Sequence, residues 1–322
     1  MRILSGIKPS GTIHVGNYFG MIRQMVGYQQ RGELLCFIAN LHSQTSVFDA
    51  QQLWKLTEDA ILDLVALGID PDKSWLWVQS DVPEVCELTW YLNNVTPMGL
   101  LERCHAYKDA IARGKPANAG LFNYPVLMAA DILMYQSNIV PVGQDQKQHV
   151  EVTRDIAIKF NQTYGEAFTI PEPEIPEAVA VVPGLDGAKM SKSYDNVLEI
   201  FGPEKELRKK VMGIKTDSTP VEAPKDPDVS IVYQLYRLFV DEAKAQEMAQ
   251  RFRRGGMGYG EAKKALFEVY WEFFREARER RARLASDPAA IAAIRKKGAD
   301  KVRKLGIPTL EKVRTLVGVS RS

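Results

Sequence analysis

Short apolar runs alternate with segments of helical periodicity through the first half of the chain, and that alternation constrains the fold more than any other feature. Residues 1–4, 34–39, 74–78 and 139–142 read as buried strands. Between them Tyr18, Met21, Ile22 and Met25 fall on one face of a helix. Further helices are predicted over 52–67, closed by Gly68, and over 83–94, 98–112, 121–135 and 148–164. Residues 113–119 form a breaker-rich loop. This pattern predicts an α/β fold: a Rossmann-like, doubly wound parallel sheet covered on both faces, with ligands at the carboxyl ends of its strands. Past residue 193 only helical patterns remain, over 204–214, 229–240, 242–254, 261–285, 289–305 and 310–317. The expected organisation is an α/β domain over 1–193 and a smaller C-terminal all-α domain over 194–322, joined through 194–203, with the last helices packing back on the first domain.

Two motifs far apart in sequence carry the chemistry. Gly6-Ile-Lys-Pro-Ser-Gly-Thr-Ile-His-Val-Gly-Asn17 spans the turn from the first strand into the first helix. Gly6, Gly11 and Gly16 let the backbone approach a flat or charged ligand, and free N–H groups at a helix start favour phosphate. His14 and Asn17 add donors at that mouth. Gly6 and Gly11 have P-loop spacing, but Thr12 stands where the essential lysine would be, so a Walker site is excluded. Alone, the turn is equally a tight strand–helix connection. The second motif, Lys189-Met-Ser-Lys-Ser193, lies between Gly184-Leu-Asp-Gly187 and Tyr194-Asp-Asn196, turn chemistry that places Lys189 and Lys192 on a mobile loop. Nucleotidyl transfer depends on positioning and on neutralising the charge of the leaving group, which loop lysines supply. A lysine-serine loop by itself is most often a solvated surface loop. Paired with the first motif, it describes a site that holds ATP from both sides.

Composition narrows the class. The chain has 322 residues, 45% of them hydrophobic, enough for one large core and a smaller one. No stretch approaches about 18 uninterrupted apolar residues, and the N-terminus lacks signal-peptide character, so a cytoplasmic protein without membrane association is expected. Cys36, Cys86 and Cys104 are too few and too scattered for a disulfide framework or a zinc site, and read as reduced, packed side chains. Charge is uneven: residues 251–322 hold 19 Lys+Arg against 8 Asp+Glu, and the rest 23 against 32. A basic C-terminal third suits a nucleic-acid backbone. Arg275, Arg278, Arg280, Arg281 and Arg283 nevertheless interleave with Glu272, Glu276 and Glu279 at helical spacings, so internal ion pairs are equally open.

Further stretches carry a family likeness: Tyr124-Pro-Val-Leu-Met-Ala-Ala-Asp-Ile-Leu-Met-Tyr135; Val140-Pro-Val-Gly-Gln-Asp-Gln-Lys-Gln-His149 with Glu151, Thr153 and Arg154; and Gly-Tyr-Gly at 258–260. With the two ATP motifs, they make the chain resemble the bacterial tryptophanyl-tRNA synthetases, which are class I aminoacyl-tRNA synthetases. The resemblance implies that Asp131 accepts the indole N–H, with Met128, Val140 and Val142 lining the ring pocket and Gly6 beside it. Tyr124 and Gln146 would hold the amino and carboxyl ends of the amino acid, with His42 nearby. Lys8, Pro9, Ser10, His14, Gly16 and Asn17 would meet ATP, as would Gly143, Gln144 and Asp145 on the ribose side and Val181 at the adenine. Lys189, Met190, Ser191, Lys192 and Ser193 would close over the phosphates, and His14, Gln146, Lys189 and Lys192 would act in catalysis with Mg²⁺. L-tryptophan, tRNA(Trp) and a second copy in a homodimer are the implied partners, and the helical domain would bind the anticodon.

Physical chemistry supports Asp131 separately. A carboxylate within the apolar Leu127-Met-Ala-Ala-Asp-Ile-Leu-Met134 is costly unless something satisfies it, by a helix cap, an ion pair or a ligand. Aimed at the one polar atom of an indole, it would reject Phe by about 10⁴ to 10⁵. The sequence also departs from the family. His14 replaces a common Thr, Lys8 and Gln144 replace Gln and Glu, and Leu4 replaces an aromatic. Residues 109–118 lack one lysine expected near ATP, for which Lys108, Arg113 or Lys115 would substitute. The expected reaction is in-line attack of the tryptophan carboxylate on the α-phosphorus of ATP, then transfer to a ribose hydroxyl of tRNA, with no protein nucleophile. Alternatives are a tyrosyl-tRNA synthetase, whose relatives commonly carry Gln where Met128 stands; another adenylate-forming nucleotidyl transferase with a similar first motif, which would not need the basic helical domain; and an inactive RNA-binding paralogue, which would be free to lose His14 or the loop lysines.

Overall fold

The structure, a computed structural model, describes all residues but 115, 144, 145, 176–181, 321 and 322. Strands β1 (Arg2–Ile7), β2 (Glu33–Ile38), β3 (Trp75–Val78), β4 (Ile139–Pro141) and β5 (Glu172–Glu174) form one parallel sheet in the order β3-β2-β1-β4-β5. The order reverses between β1 and β4, which opens a crevice at the carboxyl ends of those strands.

Alternation along the strands divides the core. Ile3, Leu34, Cys36, Ile38, Leu76 and Val78 belong to one buried cluster, and Leu4, Leu35, Phe37, Trp77 and Val140 to the other. The first face is covered by α1 (Val15–Asn17), a π-helical turn (Tyr18–Ile22) and α2 (Arg23–Tyr28). After α3 (Asn40–Ser43), it is also covered by α4 (Ala50–Ala66). The second face takes α5 (Glu84–Asn93), α6 (Met98–Glu102), α8 (Ala119–Leu133) and α9 (Lys147–Tyr164), while α7 (His105–Ala112) packs on α6 and α8. The first cluster continues unbroken into α10 (Glu204–Met212), α11 (Ile231–Tyr236), α12 (Glu242–Arg254) and α13 (Tyr259–Phe273). Next come α14 (Arg275–Ala285) and α15 (Pro288–Leu316), the latter burying Val302, Leu310 and Val313 in the second cluster. Each such buried aliphatic contributes about 1.5–3 kcal/mol.

α15 runs against the edge strand β3, and Gly298 permits the approach: a Cβ there would sit 1.7 Å from the Leu76 carbonyl oxygen. Ion pairs secure it. Arg295 pairs with Asp81, Lys297 with Asp72, Arg303 with Glu84 and Arg314 with Glu87, and Arg281 of α14 reaches Asp59 and Asp63 on α4. Much of the charge asymmetry thus joins the basic C-terminal helices to the acidic first half. Of the interleaved arginines, Arg275 pairs with Glu272 and Glu279, Arg278 lies over the Trp271 ring, and Arg280 donates to the Ala66 carbonyl.

Among the differences between local expectation and structure, four have plain physical reasons. β5 is too short and polar to signal itself, and Pro173 is tolerated because an edge strand needs no N–H on its outer side. Residues 98–112 divide at Arg103 and Cys104 into α6 and α7. The predicted 261–285 helix breaks at Phe274, which is fully buried with its ring 5.0 Å from that of Tyr18. The two helices predicted at the end are one, because apolar burial on both sides of Pro308 holds a single axis despite the missing N–H.

Candidate active site

Four strands end at the same rim, and each delivers part of the site. After β1 comes the first motif, after β2 comes His42, after β3 comes Gln79, and after β4 come Val142 and Gly143. The pieces are stitched together. Ser43 Oγ donates to the Pro9 carbonyl at 3.0 Å, Lys8 Nζ donates to Thr45 Oγ1 at 3.2 Å, and the Ala39 N–H donates to the Ile7 carbonyl at 2.9 Å. Gly6 lies opposite Phe37 in register, where a Cβ would fall 2.5 Å from the aromatic ring.

Asp131 is the centre of the second face. It is 2% exposed on α8, and both of its hydrogen bonds among the described residues fall on Oδ2: His42 Nε2 at 3.0 Å and Gln79 Nε2 at 2.8 Å. Burial pushes its pKa upward, and the hydrogen bond from His42 opposes this most strongly. Val140 and Leu4 are buried in the second cluster, with Met128 and Val142 packed against that cluster. Tyr124, one turn before Met128, meets His149 Nε2 at 2.5 Å and lies edge-on to His42 at 6.1 Å. Burial raises the Tyr124 pKa to about 12. Gln146, exposed, immediately precedes α9.

The other motifs meet across the first face. His14 caps α1 reciprocally: its Nδ1 accepts the Asn17 N–H at 3.3 Å, and Asn17 Oδ1 accepts the His14 N–H at 3.2 Å. The segment after the lysine loop pairs with this cap, Val15 N–H to Leu198 O at 2.9 Å and Ile200 N–H to Ile13 O at 3.2 Å. Met190 Sδ accepts the Gly16 N–H at 3.3 Å. Gly11, at φ +131°, needs glycine for its backbone, and the Lys192 side chain lies against it: a Cβ there would be 3.4 Å from Nζ. Lys192 is half-buried, and burial lowers its pKa against the attraction of Asp63. Asp63 is itself pushed up to about 6 by burial, opposed by Arg281. Lys8, Ser10, Gly143, Lys189 and Ser193 are exposed, Pro9 is buried, and Ser191 Oγ contacts Ser193 Oγ at 2.8 Å. Lys108 and Arg113 are exposed on or beside α7, Arg113 pairing with Asp109. Gln144, Asp145, Val181 and Lys115 lie outside the described residues.

Burial, and then the charge of Lys192, push the His14 pKa down from 6.5 to about 4 against the pull of Glu199. The ring is neutral at physiological pH, and because Nδ1 accepts, its proton sits on Nε2. The unfolded chain takes up this proton near pH 6.5 while the folded chain refuses it. His14's contribution to stability is therefore present above pH 6.5 and lost as pH falls toward about 4. Thermal melting across that window should show the loss in the wild type and a shallower slope in His14→Asn; identical slopes would contradict the assignment.

Two important residues escaped the sequence reading. Gln79 is 1% exposed, and only its place at the carboxyl end of a predicted strand could have marked it. Asn196, 3% exposed, read as plain turn chemistry, yet it holds the lysine loop together. It accepts the Ser191 N–H at 2.8 Å and donates to Asp186 Oδ1 at 2.7 Å and to the Lys189 carbonyl at 3.1 Å. Asn196→Ala should destabilise the loop by about 1–3 kcal/mol. Amide exchange over 186–192 should then accelerate at least about tenfold while β1 and β2 amides keep their protection; unchanged loop exchange would remove Asn196 from this role.

Residues 1–275 match the family model described as tRNA synthetases class I (W and Y). A tryptophan–tRNA ligase of Rhodopirellula baltica is 51% identical, covering 99% of this chain and 100% of its own length. The chain belongs to the tryptophanyl-tRNA synthetase family. A second family member, the tryptophan–tRNA ligase of Campylobacter jejuni, is 49% identical across 99% of this chain and 100% of its own. The crystal structure of a tryptophanyl-tRNA synthetase from Campylobacter jejuni, complexed with ADP and tryptophan, superposes with a TM-score of 0.96, at 49% identity and covering 99% and 100% of the two chains.

Proposed function

We infer that the chain is a tryptophan–tRNA ligase: it activates L-tryptophan with ATP, releasing pyrophosphate, and transfers the tryptophanyl group to tRNA(Trp). The observation that carries this reading is Asp131, a buried carboxylate on an apolar helix held by two donors on one oxygen, His42 and Gln79, which follow β2 and β3 at the rim where the first ATP motif follows β1. In the reading, Oδ1 takes the indole N–H, Met128, Val140 and Val142 close on the ring, and Tyr124 and Gln146 orient the amino and carboxyl ends. His14 donates from Nε2 to phosphate, while Lys8, Pro9, Ser10, Gly16 and Asn17 shape the nucleotide's bed. Lys189 and Lys192 draw charge from the leaving pyrophosphate as the loop closes. Among the described residues no group of three His, Cys, Asp or Glu could hold a metal. In the reading, Mg²⁺ would enter with the triphosphate as part of the substrate. The helical part would carry the anticodon contacts. We place the enzyme in the cytoplasm; among the described residues no helix is long and apolar enough to cross a membrane.

ATP–pyrophosphate exchange with each standard amino acid in turn tests the function. Stimulation by Trp alone is expected; stimulation by Tyr alone, or silence throughout, would overturn it. The reading includes a homodimer, supported by two large apolar side chains left open to solvent: Trp90, 67% exposed on α5, and Met98, 64% exposed at the start of α6. Trp90→Glu should convert a dimer to a monomer in light scattering; a wild type already monomeric at micromolar concentration would refute the pairing.

A further inference from the structure

The turn that carries Gln79 is held from the far end of the chain. In the single turn Gln79–Asp81 each side chain is tied to a different partner. Gln79 Oε1 accepts the Leu41 N–H at 3.0 Å while Nε2 donates to Asp131 Oδ2 at 2.8 Å, so both ends of the amide are committed and its orientation is fixed. Ser80 is gripped by Asn40, whose Nδ2 donates to its Oγ at 2.8 Å and whose Oδ1 accepts its N–H at 3.1 Å. Asp81 receives a two-pronged contact from Arg295 of α15, Nε at 3.0 Å and Nη2 at 2.7 Å. That guanidinium lies 4.7 Å from the Trp54 ring centroid, which restricts it further. Three residues along α15, Gly298 meets the backbone of Leu76, in the strand that leads directly into the turn. α15 therefore grips both the strand and the turn that follows it.

We propose that α15 sets amino-acid specificity from outside the pocket: Arg295, through Asp81, is a positioning residue that holds Gln79 against Asp131, so that one carboxylate oxygen stays turned to the substrate. The inference rests on the reading of Asp131 as the group that accepts the indole N–H. Two donors on Oδ2 pin the carboxylate plane, and a planar bidentate arginine pair resists the rotation that a single contact allows. Releasing the turn frees the Gln79 amide and lets the carboxylate swing away from the ring nitrogen. Recognition of the N–H then weakens more than the hold on the nucleotide, whose motif meets this turn only indirectly, through α3 and Thr45.

A double-mutant cycle tests this. Specificity constants for Trp and for Phe are measured by pyrophosphate exchange in the wild type, Gln79→Ala, Arg295→Ala and the double variant. Gln79→Ala should lower the Trp constant about 30-fold and Arg295→Ala about tenfold, with the Trp-over-Phe ratio falling in step and KM for ATP within about twofold. Because Arg295 acts through Gln79, the double variant should fall no more than about twofold below Gln79→Ala. Arg295→Lys, which keeps the packing and one contact to Asp81, should recover part of the ratio. Multiplicative losses in the double variant, or an Arg295→Ala enzyme with the wild-type Trp-over-Phe ratio, would overturn the proposal. A wild type silent with Trp would instead defeat the functional reading beneath it.

Discussion

Lys192→Ala is expected to lower the rate of ATP–pyrophosphate exchange about 10³-fold while leaving tryptophan affinity within about twofold. The asymmetry follows from where the lysine sits. Its ammonium lies against Gly11 at the nucleotide side of the site, and Met190 beside it accepts the Gly16 N–H. Among the described residues, no hydrogen bond or ion pair joins it to Asp131, His42 or Gln79. Charge accumulates on pyrophosphate only as the bond to the α-phosphorus breaks, so a cation there lowers the barrier more than it strengthens the ground state. Burial already depresses the Lys192 pKa, and a partly desolvated ammonium acts on a phosphate with less screening than one in water. Single-turnover adenylate formation measures the first quantity, and equilibrium binding of tryptophan the second. Equal losses in both would mean that Lys192 serves the pocket as a whole, and the assigned role would fail.

Asp131→Ala should lower kcat/KM for tryptophan about 10³-fold with KM for ATP little changed. Two costs combine. The bond from the indole to a charged acceptor is lost, worth about 1.5–3 kcal/mol, and the His42 and Gln79 donors are left unpaired in a dry pocket, at about 1–3 kcal/mol more. Asp131→Asn should be no milder despite its matching shape. If its carbonyl oxygen keeps the two donors, its amide N–H₂ faces the indole N–H, donor against donor. Steady-state exchange with both variants decides the matter. An Asn variant within tenfold of the wild type would show that the carboxylate does not read the indole.

Legibility varied with how local the physics was. β1 to β4 announced themselves because apolar runs and turn residues are short-range signals, and the crevice followed from parallel connection alone. β5 was silent because its pairing with β4 depends on neighbours brought in from distant sequence. The final helix was cut at Pro308 by a sound propensity rule that tertiary burial overrode. The charge division was visible, but its meaning was not: composition cannot separate a surface that waits for phosphate from one that docks on Asp59, Asp63, Asp72, Asp81, Glu84 and Glu87 of the same chain. Asp131 stood out as a carboxylate stranded among apolar residues. Gln79 and Asn196 did not, since a single amide acquires its role only when folding surrounds it with donors and acceptors.

The most direct measurement is the exchange rate with an isostere of tryptophan in which sulfur replaces the indole N–H, set against tryptophan itself in the wild type and in Asp131→Ala. The account predicts at least a roughly hundredfold preference for tryptophan in the wild type, reduced to a few-fold in the variant. Equal use of the two amino acids by the wild-type enzyme would contradict it.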